Sequence, residues 1–70
     1  MGHLASNLYR IRVARRESQA VVAENAGSEF SQQYVSALER GLFPRKPEHV
    51  AALAAALGVE ESALTRRVRS

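Results

Sequence analysis

Ser31-Gln32-Gln33-Tyr34-Val35-Ser36-Ala37-Leu38-Glu39-Arg40-Gly41 is the stretch on which the fold turns. Serine caps helix starts with its side-chain oxygen, and glycine ends helices. The spacing between the two predicts a helix over 32–40. At 100° per residue Val35 and Leu38 share its inner side. Gln33, Ser36, Ala37 and Arg40 fall on the opposite side, with Gln32 on the flank. That outer face is polar, short and almost uncharged. It suits contact with base edges, because a glutamine amide donates and accepts at once and pairs bidentately with adenine. Small Ser36 and Ala37 let such a helix enter a groove, and the Ala37 methyl is placed to meet a thymine methyl. Read alone, the same face also fits a solvated helix surface.

The rest of the chain is helical too. Leu4, Leu8 and Ile11, with Arg15 next in the series, recur at intervals of three to four and predict a first helix over 4–16. Ser18 is placed to cap a second helix carrying Val22, Ala23 and Ala26, with Gly27 as an αL terminator. A loop from Gly41 holds both prolines, and Pro47 opens a fourth helix in which Glu48 suits the positive end of the dipole. Val50, Leu53, Ala54 and Leu57 form its buried stripe, and Gly58 closes it. A fifth, short helix starts at Glu60 and Glu61 and ends at Arg66 and Arg67, a charge order that matches its dipole. Strand-like alternation is absent. The expectation is an all-α, compact five-helix domain spanning 1–70, with the Ala-rich stretch over 51–56 in close helix packing.

Seventy residues allow one domain. A chain this short buries only about 60% of the surface its unfolded form exposes, so disulfides, metals or oligomers usually support it. Cysteine is absent, and His3 and His49 lie far apart, so oligomerisation is the remaining support. Ten basic and seven acidic residues leave a net charge of +3, a moderate basicity common to nucleic-acid binders and to many proteins that are not. Arginines cluster at Arg10, Arg12, Arg15 and Arg16, and again at Arg66, Arg67 and Arg69. Arg40, Arg45 and Lys46 form a third basic group. No apolar run spans a membrane, the first residues lack the pattern of a secretory signal, and the lack of cysteine fits a reducing cytoplasm. No nucleophile elbow, phosphate loop or metal-ligand set appears. Adjacent Glu60 and Glu61 read as helix-start residues rather than as an acid–base pair, so no enzyme activity and no cofactor is expected.

One ordered set of residues resembles a family. Ser18-Gln19, Ala23, Gly27, the run from Val35 to Gly41, and Ala54-x-x-Leu57-Gly58-Val59 are similar to the Cro/C1-type (XRE family) helix-turn-helix regulators. The resemblance covers about 8–64. The paired glutamines after Ser31, with the Leu38-Glu39-x-Gly41 ending, are similar to lambdoid phage repressor DNA-binding domains. It implies a lambda-repressor-like fold, a sequence-specific transcriptional regulator, and the recognition helix in the major groove of double-stranded DNA. It implies that Gln19 meets a phosphate from a helix N-terminus, where free N–H groups favour an anion; Gln19 also fits as an ordinary first-turn residue. Tyr34 matches a hydroxyl-bearing position that reaches a phosphate or covers the core edge. Arg45 and Lys46 match a loop that meets the DNA backbone, or are solvated charges. Arg12 and Glu39 match a structural ion pair. The C-terminal region, here Val59, Leu64 and Val68, implies a two-fold interface, so a homodimer on an inverted repeat is expected, with Leu64→Asp weakening DNA binding without unfolding the monomer. A protein antagonist and RNA polymerase are the further partners such regulators imply, and no membrane. Two other readings stay open: an antitoxin or interaction module on the same fold, and a restriction–modification controller. No toxin-wrapping tail or ligand domain is evident, which points to regulation by protein concentration or by a partner.

The sequence departs from the family at three points. Arg16 stands where a glycine is frequent, Glu17 stands where an apolar residue is usual, and the segment between Gly27 and Ser31 is about two residues longer. For Ser28-Glu29-Phe30-Ser31, either Ser28 caps a longer third helix and Phe30 turns outward, or Ser31 is the cap and Phe30 packs on Val35 as a hydrophobic staple. The second is favoured, because burying the ring is worth roughly 1.5–3 kcal/mol. His49 is expected on the exposed side of the fourth helix.

Overall fold

The computed structural model describes residues 3–42 and 46–67. It holds five helices: α1 (His3–Ala14), α2 (Gln19–Ala26), α3 (Gln32–Glu39), α4 (Pro47–Leu57) and α5 (Glu61–Thr65). No strand occurs among the described residues, and none of the helices is long and apolar enough to cross a membrane. The all-α architecture is the one expected from the apolar spacing.

Local chemistry sets each boundary. Ser18 Oγ accepts from the Val21 N–H at 3.1 Å and Ser31 Oγ from the Tyr34 N–H at 3.1 Å, so both serines satisfy donors a helix start leaves orphaned. Pro47 opens α4, which has no side-chain cap. Helices α1, α3 and α4 end in the same way. In α3, Gly41 (φ 72°) donates to Leu38 O and Leu42 N–H donates to Ala37 O. In α4, Gly58 (φ 69°) and Val59 donate to Ala55 O and Ala54 O. In α1 the same pair of hydrogen bonds runs from Arg16 N–H to Val13 O and from Glu17 N–H to Arg12 O, and Arg16 holds φ 59° without being glycine. All three are Schellman closures. The family's frequent glycine at this position therefore has a backbone reason, and α1 ends two residues earlier than the spacing predicts. Gly27 differs from expectation: at φ 132°, ψ 172° it is not αL, but lies in a region open essentially to glycine alone.

Helix α2 packs on α3 and α4, α1 packs on α3 and α5, and α4 packs on α5. Leu8, Val22, Val35, Leu53, Leu57 and Leu64 meet as fully buried side chains at the centre. Asn7 lies inside as well, and its amide donates to Leu64 O at 2.9 Å and to Arg66 O at 2.7 Å. Those bonds satisfy carbonyls at the end of α5, a helix too short to be stable alone. Phe30 packs against the core and Ser31 is the cap, as the staple reading requires.

Candidate nucleic-acid interface

Helices α2 and α3 are joined by a five-residue segment from Gly27 to Ser31. Phe30 N–H donates to Gly27 O at 3.0 Å, which closes this segment on itself. The extra length is thus taken up ahead of the cap, and Gln32 and Gln33 stay in the first turn of α3. Both are exposed, as is Arg40, and Ser36 is half-buried between them along the helix. The series 33, 36, 40 runs along one face at helical spacing. Lys46 is exposed at the start of α4. Arg45 and Val68 lie outside the described residues.

Ala37 does not belong to this face. It is only 6% exposed. Helix α3 packs against α1 as well as α2, so more of its circumference is inside than a single apolar stripe implies. The Ala37 methyl is turned into the core and not toward the groove side on which a thymine methyl is expected. Leu64, expected at a two-fold interface, is 0% exposed in the monomer and belongs to its core. The short α5 needs Leu64 to hold it against α4 and α1. Val59 is half-buried and lines a groove between α1 and α5 together with Ile11, Ala63, Arg10 and Arg66.

A polar network fixes the end of α3. Arg12 Nε donates to Glu39 Oε2 at 2.6 Å, and Nη2 donates to Oε1 at 3.1 Å. Gln19 Nε2 donates to the same Oε1 at 3.0 Å. Arg12 Nη1 donates to Glu17 O at 2.8 Å, tying the turn after α1 into the network. The Arg12 and Glu39 side chains are only 13% and 5% exposed. Hydrogen bonding to Glu39 holds the guanidinium more firmly protonated than usual, against the opposing effect of burial. The Arg12–Glu39 pair is the one expected. The Gln19 amide, expected on a phosphate, here braces Glu39. Glu17, unusual for the family, pairs at the surface with Arg15 at 3.4 Å, a contact worth little.

Sequence reasoning missed a second cluster. Tyr34 Oη and His49 Nδ1 lie 2.7 Å apart, and His49 Nε2 lies 3.4 Å from Glu29 Oε1. Phe30 sits against both rings, at 5.6 Å from Tyr34 and 4.9 Å from His49. His49 is thus largely covered, not exposed as expected. The third position of α4 faces the turn, and no pattern internal to α4 reveals that. The Tyr34 phenol is pushed above its ordinary range by burial first, then by Glu48 and Glu29.

Helix α3 thus presents an exposed polar first turn, capped by Ser31 and braced through Glu39 against α1 and α2. A protein-family model, that of a helix-turn-helix domain, matches residues 3–67. The chain belongs to the helix-turn-helix domain family. Solved structures agree with this helix-turn-helix domain. The restriction-modification controller protein C.AhdI from Aeromonas hydrophila is similar over 89% of this chain and 91% of its own, with a TM-score of 0.82 and 27% identity. A hypothetical transcription factor from Neisseria, NHTF, is similar over 90% of this chain and 70% of its own, with a TM-score of 0.81 and 33% identity. No protein with a curated description matches. Family and fold together support a DNA-binding regulator.

Proposed function

We propose that this helix-turn-helix domain is a sequence-specific transcriptional regulator of the Cro/C1 (XRE) type, which binds an inverted-repeat operator as a homodimer with α3 in the major groove. The observation that carries this reading is the pair Gln32 and Gln33, exposed in the first turn of a helix whose opposite side is buried through Val35 and Leu38. Such a turn presents two bidentate amides to base edges, adenine foremost. Ser36 is small enough for close approach, and Arg40 follows on the same face. Phosphates are met by Lys46, by Arg45, by the Tyr34 hydroxyl and by the start of α2, where Gln19 stands and a helix N-terminus favours an anion.

A homodimer supplies two recognition helices about 34 Å apart, one turn of DNA. The groove between α1 and α5, with Val59 in its lining, is the face proposed for pairing; Val68, expected to share that role, lies outside the described residues. Action on DNA makes the cytoplasm the proposed place of work, and RNA polymerase or a protein antagonist the further partner. Control of restriction–modification genes is a second reading, favoured by the likeness to C.AhdI over 91% of that chain.

Footprinting on the DNA upstream of its own gene tests the proposal. Two symmetric protected half-sites, with a dimer–DNA complex in ultracentrifugation, are expected. A single unrepeated half-site bound by a monomer would overturn it.

A further inference from the structure

Glu29, His49 and Tyr34 form a continuous polar chain beside the face proposed to meet DNA, and the chain has a direction. The His49 side chain is 14% exposed and the Glu29 side chain 76%. Glu29 is therefore the solvent end, and His49 lies between it and Tyr34. A carboxylate only accepts hydrogen bonds. With a neutral imidazole, Nε2 carries the proton that faces Glu29, and Nδ1 presents a lone pair to Tyr34. The Tyr34 O–H then donates to Nδ1 across 2.7 Å. With a protonated imidazole both ring nitrogens are donors. Nδ1–H then donates to Tyr34 Oη, and the phenol proton is turned away from His49.

We propose that His49 is a positioning residue for DNA binding: its protonation redirects the Tyr34 hydroxyl from the imidazole toward a backbone phosphate and adds a positive charge beside it. The inference rests on the reading of the α3 face as the DNA-contacting one, and deepens it. Among the described residues, the charged and titratable groups about the imidazole include Glu29 from the α2–α3 turn, Tyr34 from α3, and Glu48 and Lys46 from the start of α4, where the His49 N–H donates to Lys46 O. Helix α2 turns Val22 and Ala23 into the core, and its own charge, Glu24, is exposed. Burial, Glu48 and Glu29 all keep the phenol protonated, so its hydroxyl remains a donor across the histidine range. With a neutral imidazole, the Glu29–His49 pair presents a net negative charge to the DNA; protonation cancels it. Charge and hydrogen-bond direction therefore act with the same sign.

The test uses the full chain and two duplexes. One carries a site selected by the protein from a random-sequence pool, and the other is a scramble of it. Affinity is measured at pH about 8 and about 6, the span in which histidine changes charge. The parent protein is expected to bind the selected duplex about threefold to tenfold more tightly at the lower pH, between the weight of a helix-end charge and that of a charge-assisted hydrogen bond. The salt dependence should steepen by up to about 0.9 in log–log slope per charge gained against phosphate. His49→Gln should lose this pH dependence while keeping its preference for the selected duplex, and His3→Asn should retain it. Glu29→Gln, an exposed change with little effect on folding, should bind more tightly at pH about 8. Tyr34→Phe should keep only the part that charge carries. A His49→Gln protein with the parent's pH dependence would overturn the inference, as would a Glu29→Gln protein identical to the parent. Loss of preference between the duplexes in the parent at both pH values would instead sink the DNA reading beneath it.

Discussion

Arg12 and Glu39 meet side by side, Nε to Oε2 at 2.6 Å and Nη2 to Oε1 at 3.1 Å, and so join the last turn of α1 to the last residue of α3. The carboxylate also takes the Gln19 amide from the first turn of α2. Three helices are therefore fixed relative to one another by a single acceptor group. The angle at which α3 leaves the body of the domain is held there.

Glu39→Ala would leave the Arg12 guanidinium largely buried without its counter-charge. Breaking a buried pair from one side costs roughly 3–5 kcal/mol, most of what a domain of this size has in reserve. Chemical denaturation should show that loss. The double variant Arg12→Met with Glu39→Leu should recover much of it, because replacing both partners by apolar groups is often near neutral.

Arg16 is expected to be replaceable with gain. It holds φ 59° in a closure that Gly41 and Gly58 make elsewhere in the chain. A side chain in that region costs about 1–2 kcal/mol, offset in part by the greater unfolded-state freedom of glycine. Arg16→Gly should raise the melting temperature by a few degrees, and an unchanged or lowered melting temperature would count against the assigned strain.

Caps and stripes were legible in the sequence because each is a local matter. Ser18, Ser31, Gly41, Pro47 and Gly58 act within one turn of where they stand, and Leu53 and Leu57 declare a face by spacing alone. Ala37 and Leu64 were misplaced because their burial depends on which second helix covers them. One apolar stripe says that α3 has an inside; it does not say that α1 covers a further arc. His49 was unreadable for the same reason, since its partners come from α3 and from the lengthened turn. Spacing puts Gln19 at the start of α2, where it is found, yet its side chain turns to Glu39, a partner 20 positions along the chain.

Leu64→Asp should unfold the monomer, contrary to what an interface position implies. The side chain is fully buried, and an unpaired carboxylate there costs several kcal/mol. Circular dichroism of the variant should show loss of the cooperative transition. A folded Leu64→Asp monomer would restore the interface reading.

Tyr34 links stability to alkaline pH. Its phenol is raised by burial, Glu48 and Glu29 above the ordinary value of 10.0. A raised folded value means that the neutral form is the one favoured by the fold. The contribution is complete below the unfolded phenol range and is lost as pH rises through the folded one. Stability of the parent should therefore fall more steeply above pH about 10 than that of Tyr34→Phe; equal slopes would contradict the assignment.

In the proposed complex α3 reads bases through its first turn while neighbouring cations hold phosphate. The decisive measurement is the binding of Gln33→Ala and Lys46→Ala to a selected duplex and to its scramble. Gln33→Ala should lose about 1–3 kcal/mol on the selected duplex and little on the scramble. Lys46→Ala should lose equally on both and lower the salt slope by roughly one unit. If the two variants behave alike on both duplexes, the first turn of α3 is not the reading face.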